Sequence, residues 1–316
     1  MIKRILITGG TGFIGSHLVE ELVILGYRPI VLKRSFSNLS RILHYVDKVD
    51  FYDLDKKPLE NVFKEEDIDT IINLAVSYKK NESYKDIDEM VDTNIKLPAK
   101  LLELGKDSGA RLFITAGTFF QYDQNEPLIN QETPVLARNF YAATKNALER
   151  LLEFYKSSSD MIVLEFILFT PYGERDDANK VIPYVIKNAL QDKGIDLTAG
   201  FQRLYPTYVK DIVSLMIKAF EFQGNFGTVA YRFSVTGGQS YSIREIITVL
   251  EDILDRKIKV KWGKKEISKI DALQPLLVDI SLTEKTFGWA PRTSLEEGLK
   301  RMVAYYSGDE SENRKP

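Results

Sequence analysis

Short apolar runs alternate with amphipathic stretches through the first half of the chain. The run KRILIT, starting at Lys3, predicts a strand. Apolar positions at helical spacing over about 12–25, closed by Gly26, predict a helix after it. PIVLK, VDFYDL and DTIINLA predict further strands. A long helical pattern over about 85–106 leads into RLFITAG, another predicted strand. FYAATKNALERLLEFYK predicts a helix, and the nearly all-apolar MIVLEFILF fits a strand buried on both faces. Strand and helix alternating in this way predict an α/β fold with a doubly wound parallel Rossmann sheet.

After about Thr170 the rhythm loosens and the elements shorten. The expected organisation is a dinucleotide-binding domain over 1–170 and a smaller C-terminal domain, mainly substrate-binding, over 171–316. The second is expected across the carboxyl ends of the strands, where open α/β sheets bind ligands. A segment near 204–235, with a helix over about 211–222, is expected to return to the first domain, and the polar tail 307–316 to fray.

The 43 basic and 45 acidic residues are interspersed, for a net charge of −2. That leaves no footprint for nucleic acid or an anionic membrane surface. No apolar run approaches the roughly twenty residues that span a bilayer. The sequence enters a strand pattern at once, with no signal peptide visible, so the expected location is cytoplasmic. The chain has no cysteine, which excludes disulfides, thiolate zinc sites and a catalytic thiol. With only His17 and His44, a histidine-rich metal site is not expected, and both are read as helix-surface residues.

Gly9, Gly12 and Gly15 stand between a predicted strand and a predicted helix. Glycine there lets the chain turn sharply, the backbone approach a pyrophosphate and the helix pack on the strand. The helix N-terminus then offers N–H groups and a positive dipole end to phosphates. Gly9, Thr11, Gly12, Phe13, Ile14 and Gly15 are therefore the expected cofactor loop. The second strand ends Leu32-Lys33-Arg34-Ser35, with no acid of the kind that bonds an NAD ribose. Lys33, Arg34 and Ser35 suit a 2′-phosphate, so NADP(H) is expected, with NAD(H) as the alternative.

Tyr141 and Lys145 form Y-x-x-x-K, which puts both side chains on one helical face a turn apart. A phenol has a pKa of about 10 when free. A lysine cation beside it lowers that value and suits the tyrosine to proton transfer. A second match, Tyr52 and Lys56, falls at a strand end and is read as chance.

TGGTGFIG is similar to the glycine loop of the extended short-chain dehydrogenase/reductase family, which acts largely on nucleotide sugars. Asp53 and Leu54 resemble its adenine-contacting pair. Asn73, Leu74 and Ala75 resemble its strand end beside the adenosine, and Asn94 its helix asparagine. GGQSYSIREI and FGWAPRTSLEEGLKRMV resemble its C-terminal segments, so the resemblance covers about 3–306. It implies Tyr141 as the acid/base and Lys145 as a bond to the nicotinamide ribose. It also implies a hydroxyl from FITAGTFFQYD, where matching Tyr122 selects Thr118 and leaves Thr115 as the rival.

Family dehydratases carry an acid pair just after that hydroxyl, where Phe119 and Phe120 stand here. Epimerase-reductases that invert neighbouring carbons commonly use a cysteine, which this chain lacks. Hydride chemistry at one carbon remains, by a 4-ketoreductase or a 4-epimerase. On the substrate side Thr170 replaces a family asparagine. Asn179 and Lys180 begin the helix that binds nucleotide phosphates in the family. Arg203 is a candidate for the substrate pyrophosphate, one residue off the usual spacing to Asp211. Tyr78 and Phe120 either stack on a sugar or base or simply pack. The chain most resembles reductases of CDP- or dTDP-linked 4-keto-6-deoxy sugars. The resemblance implies a homodimer built on the helices near 86–106 and 141–155. A third reading is an NADP-binding regulator, against which the intact Tyr141 and Lys145 argue.

Overall fold

Ile5 and Ile7 enter one apolar core and Leu6 enters another, the alternation of a strand covered on both faces. The computed structural model describes residues 4–79, 82–123, 125–222, 232–267 and 277–308. Chain order begins with β1 (Arg4–Thr8), α1 (Phe13–Ile24), β2 (Ile30–Lys33) and β3 (Asp50–Asp53). It continues through α2 (Leu59–Glu65), β4 (Ile68–Asn73), α3 (Ile87–Val91), α4 (Leu97–Ser108) and β5 (Leu112–Thr118). Then come α5 (Phe140–Ser158), β6 (Ile162–Leu168), α6 (Val181–Leu190), α7 (Val209–Glu221) and β7 (Arg232–Val235). The last helices are α8 (Ile243–Leu254), α9 (Ser281–Phe287) and α10 (Leu295–Ser307).

The seven strands form one parallel sheet in the order β7-β6-β5-β4-β1-β2-β3. This is the doubly wound parallel sheet that the sequence predicts. One face is covered by α1 and α7, through Leu18, Val19, Ile212 and Leu215. The other is covered by α2, α4 and α5, through Val62, Leu101, Leu148 and Leu152. The strand order reverses between β1 and β4, which opens a crevice at their carboxyl ends. Helices α6, α8 and α10 enclose a third core of Ile182, Ile186, Ile246, Leu250, Leu299 and Met302. Of the expected frayed tail, residues 309–316 lie outside the described residues, as do 223–231 of the expected returning segment.

The predicted long helix over 85–106 is not one regular helix. A single π turn, Asp92–Lys96, joins α3 to α4. Asn94 lies in that turn, buried, with its side-chain bonds made inward. Its Oδ1 accepts from the Ser77 amide at 2.8 Å, and its Nδ2 donates to the Ser77 carbonyl at 2.9 Å and to Thr144 Oγ1 at 3.0 Å. Single π turns inside α-helices are frequent at functional sites.

His17 is not on the surface, as the helical pattern suggested; it is 4% exposed. Its Nε2 donates to the Glu174 carbonyl at 2.8 Å, and its Nδ1 accepts from the Arg175 guanidinium at 2.6 Å. The carbonyl can only accept, which assigns the neutral tautomer with hydrogen on Nε2. Arg175 has left-handed backbone (φ 66°) and also pairs with Glu20. It exchanges hydrogen bonds with Arg41, whose Nε donates to the Arg175 carbonyl at 2.9 Å. The loop after β6 is thus tied to α1, and the helix face that α1 turns away from the sheet is occupied. His44 is exposed in the 3-10 stretch Ser40–Lys48.

Burial, reinforced by the Arg175 cation, pulls the His17 pKa down to about 3. An unfolded histidine titrates near 6.5. Between those values the unfolded chain binds a proton that the folded chain refuses, so stability falls as pH drops through this window. The slope from this one group reaches about 1.4 kcal/mol per pH unit. His17→Gln removes that component. The unfolding free energy of the wild type, less that of the variant, is expected to shrink as denaturant titrations move from neutral to acidic pH. Parallel curves would refute the assignment.

Candidate active site

The glycine loop closes on itself where β1 ends. Gly9 has φ +69°, and a Cβ there would lie 2.5 Å from the Leu74 carbonyl carbon and 2.6 Å from the Ala75 nitrogen. A Cβ on Gly15 would lie 2.1 Å from the Gly9 carbonyl oxygen. The Gly12 amide donates to that same oxygen at 2.9 Å. Only glycine fits this cradle. The Thr8 hydroxyl donates to Asn73 Oδ1 at 2.7 Å and accepts from the Ala75 amide at 3.1 Å, which holds Leu74 and Ala75 against the loop. Helix α1 has no acid in its first turn and no side-chain cap. Its N-terminus therefore suits an anion. Thr11, Phe13 and Ile14 are half-buried beside it. The arrangement fits a dinucleotide pyrophosphate.

The end of β2 differs from the sequence expectation. Acids are present there, because the neighbouring strand brings them. Lys33 Nζ donates to Asp53 Oδ2 at 3.0 Å and Ser35 Oγ to the same oxygen at 2.8 Å. Arg34 pairs with Asp55, which also accepts from the Ser35 amide at 2.8 Å. Burial raises the Asp53 carboxyl, but the bonds from Lys33 and Ser35 outweigh it and hold it below the usual carboxylate range. The corner thus carries two cations and two anions. Leu54 follows Asp53, half-buried against the α4 side of the sheet.

Tyr141 opens the first turn of α5. The Asn139 side chain caps that helix by accepting from Ala142 N at 2.7 Å, and Glu82 Oε1 accepts from the Tyr141 amide at 3.0 Å. The phenol meets the Thr118 hydroxyl and packs edge-on against Tyr78, with ring centroids 5.0 Å apart. Lys145, one turn on, is 3% exposed, and its Nζ donates to the Ala116 carbonyl at 2.8 Å. Burial pushes the Tyr141 phenol well above its ordinary value; Tyr78 adds to this and the Thr118 hydroxyl opposes it. The expected lowering of the phenol by Lys145 is not what prevails, because burial of the ring sets the direction. Burial also pulls Lys145 down, to about 8, against the opposing charge of Glu165.

The two threonines separate clearly. Thr118 ends β5, its Oγ1 accepts from Phe120 N at 3.4 Å, and it faces Tyr141. Thr115 is fully buried, with its hydroxyl bonded to the Asn73 carbonyl and amide, each at 3.2 Å. Tyr52, of the chance Y-x-x-x-K match, is buried with its hydroxyl donating to the Pro58 carbonyl at 2.7 Å.

The substrate-side candidates do not converge on one point. Tyr78 stands 49% exposed beside Tyr141. The Phe120 ring packs at a tilt against Phe119, with centroids 4.2 Å apart, and is half-buried. Thr170 has left-handed backbone (φ 37°) at the mouth of β6, and its carbonyl accepts from Thr207 N at 3.1 Å. Lys180 pairs with buried Asp176 at 2.9 Å and lies over the Phe13 ring, 5.2 Å from its centroid, so it borders the glycine loop. Asn179 is exposed and bonded to Asp177. Arg203 is held by Ser240 at 2.9 Å and Glu245 at 3.1 Å. Among the described residues no group of three or more His, Asp or Glu side chains could hold a metal. None of the described helices is long and apolar enough to cross a membrane.

Sequence reasoning missed Asp55, Glu82, Gln121 and Glu165. Glu165 had a visible signal: one charge in an otherwise apolar run predicted to be buried on both faces.

Residues 5–229 match the model of the NAD dependent epimerase/dehydratase family, and the chain belongs to that family. It is 28% identical over 303 residues to CDP-abequose synthase of Salmonella muenchen, covering 96% of this chain and 97% of that one. Among solved structures, the UDP-glucose 4-epimerase of Thermotoga maritima with UDP-glucose superposes with a TM-score of 0.86 at 25% identity, over 96% of this chain and 99% of that one. The UDP-glucuronic acid 4-epimerase of Bacillus cereus with NAD gives 0.83 at 25% identity, over 96% of each chain.

The two threonines give opposite expectations. Thr118→Val is expected to lower kcat by about two to three orders of magnitude, as loss of one oxyanion-stabilising donor does. Thr115→Val is expected to lower the unfolding free energy by about 1 kcal/mol and leave kcat within a few-fold. Steady-state rates and denaturant melts of both variants check the pair.

Proposed function

We propose that this protein reduces the 4-keto group of a nucleotide-diphosphate-linked 4-keto-6-deoxy sugar, CDP- or dTDP-linked, with NADPH as the reductant. The observation that carries the reading is the set around β5. The Thr118 hydroxyl meets the Tyr141 phenol, Lys145 lies one helical turn on and is bonded to the β5 backbone, and the next side chains, Phe119 and Phe120, cannot move a proton. Such a site handles one carbonyl and one proton. A dehydratase or a neighbouring-carbon epimerase needs a further acid or thiol.

The geometry supports the following roles. Gly9, Thr11, Gly12, Phe13, Ile14 and Gly15 hold the cofactor pyrophosphate, with Leu74 and Ala75 beside the adenosine and Asp53 and Leu54 at the adenine. When bound, the reduced nicotinamide supplies hydride to the carbonyl carbon. Tyr141 gives its phenolic proton to the carbonyl oxygen, and its high proton affinity keeps that proton in place until charge develops on the oxygen. Thr118 bonds the same oxygen. Lys145 bonds the nicotinamide ribose and offsets the tyrosinate that proton transfer leaves. Tyr78, Phe120 and Thr170 border the sugar, and Asn179, Lys180 and Arg203 lie toward the nucleotide phosphates. Lys33, Arg34 and Ser35 are the donors for a 2′-phosphate. The full-length likeness to a synthase of a CDP-linked sugar supports the substrate class.

A second reading is an NAD-retaining 4-epimerase. What favours it is the charge-balanced corner, where Asp53 and Asp55 already engage Lys33, Ser35 and Arg34.

The test is cofactor oxidation, followed by absorbance, after CDP- or dTDP-4-keto-6-deoxyglucose is added to purified protein with NADPH or NADH. Loss of NADPH in preference to NADH is expected. Turnover with neither, together with copurified NAD and a 4-epimer formed without added cofactor, would replace the reading with the epimerase. Arg34→Ala is expected to weaken NADPH binding about ten-fold or more and to leave NADH binding nearly unchanged, because a charge-assisted bond to phosphate contributes about 1.5–3 kcal/mol. Fluorescence titration with both cofactors checks this.

A further inference from the structure

Glu165 lies at the centre of β6, fully buried and paired in register with Thr115 of β5. Its side chain points to the face of the sheet under α5. A Cβ on Gly117 would lie 2.7 Å from Glu165 Oε1. Gly117 follows Ala116, whose carbonyl holds the Lys145 ammonium at 2.8 Å. Carboxylate and ammonium therefore border adjacent residues of β5. Gln121 Nε2 donates to Glu165 Oε1 at 3.2 Å, and Gln121 Oε1 accepts from the Thr118 amide at 2.7 Å. Glu165 Oε2 is buried with no hydrogen-bond partner among the described residues.

The charged and titratable groups facing Glu165 are Tyr141, Lys145 and Glu149 from α5, Arg232 from β7 and Tyr122 after β5. Arg232 and Glu149 pair with each other at 2.8 Å, and Arg232 also stacks over the Tyr122 ring at 5.0 Å. With that pair closed, Lys145 and Glu165 are the opposite charges left in the cluster.

We propose that Glu165 is the internal counter-ion of Lys145, a positioning residue that keeps the lysine charged beside the reacting groups. The inference rests on the acid–base reading of Tyr141 and Lys145. Burial drives both groups toward neutrality, raising the Glu165 carboxyl and lowering the Lys145 ammonium, and the opposite charge of the partner works against the shift in each case. Each charge holds the other against that drift. Gln121 links the counter-ion to the Thr118 backbone, so the three groups around the carbonyl share one support.

The test reads Lys145 directly, in the full chain with carbon-13 at the lysine ε-carbons. The Lys145 resonance is identified by its loss in Lys145→Met and followed against pH. In Glu165→Gln the midpoint of Lys145 is expected about one pH unit lower, the scale of losing one nearby opposite charge. Glu165→Asp, which keeps the charge on a shorter arm, is expected to fall between the two. Gln121→Leu removes the amide that supports the carboxylate and is expected to move Lys145 the same way by less. That variant keeps the test open if Glu165→Gln does not fold. An unmoved Lys145 midpoint in Glu165→Gln, or in Gln121→Leu where the first does not fold, overturns the proposal.

Where the wild type turns over substrate, the basic limb of its kcat profile is expected to move to lower pH in Glu165→Gln. Loss of the carboxylate lowers the pKa of Lys145 and of Tyr141 alike. A uniform drop in kcat with an unmoved limb indicates a merely structural role and also overturns it. A shifted Lys145 midpoint in a wild type that reduces no nucleotide sugar supports the charge pairing while the reductase reading fails.

Discussion

Helix α5 packs on the middle of the sheet with charge on its buried face, and the active site depends on how that charge is met. Lys145 and Glu149 stand one turn apart on that face, each at most 3% exposed. An unpaired buried charge costs several kcal/mol, so such a helix cannot sit there by apolar packing alone. Ala116 takes Lys145, Arg232 takes Glu149, and Glu165 supplies the remaining negative charge between them. Sliding α5 by one turn would break every one of these contacts. The same contacts therefore fix where its first turn lies, and that turn carries Tyr141 over Thr118.

The N-terminal end of α5 is set by a second tie, of neutral groups. Asn94 reaches it through Thr144, and Thr144 Oγ1 in turn donates to the Tyr141 carbonyl at 2.7 Å. Asn94 also holds Ser77, one residue before Tyr78, whose ring lies against the Tyr141 phenol. One side chain in the π turn thus positions the catalytic candidate and its aromatic neighbour together. An asparagine does this at low desolvation cost, because all its polar atoms find partners.

Much of this architecture is legible in the sequence because it depends on local rules. Period-two and period-3.6 patterning, glycine at positions no Cβ can occupy, and tyrosine and lysine four apart are all short-range signals. The misses are long-range. Asp53 and Asp55 meet Lys33 and Arg34 only because β2 and β3 are neighbours in the sheet, some twenty positions apart in the chain. His17 looks like a surface residue until the loop after β6 folds over α1. Arg203 looks free until Ser240 and Glu245, from a distant segment, hold it. In each case the side chain has a partner that no local pattern names.

The β2 corner illustrates what such a partner changes. A guanidinium has five donors, so Arg34 can keep Asp55 and still face a phosphate. Asp53 is different: it accepts from both Lys33 and Ser35, which a 2′-phosphate would also need. A phosphate entering the corner must therefore draw Lys33 and Ser35 away from a carboxylate that those bonds hold ionised. A ribose hydroxyl faces no such contest, since it can donate to a carboxylate and accept from a lysine at once. If the 2′-phosphate of the proposed cofactor enters this corner, two anions compete for the same two donors, and the fork of Arg34 is the group that can serve both.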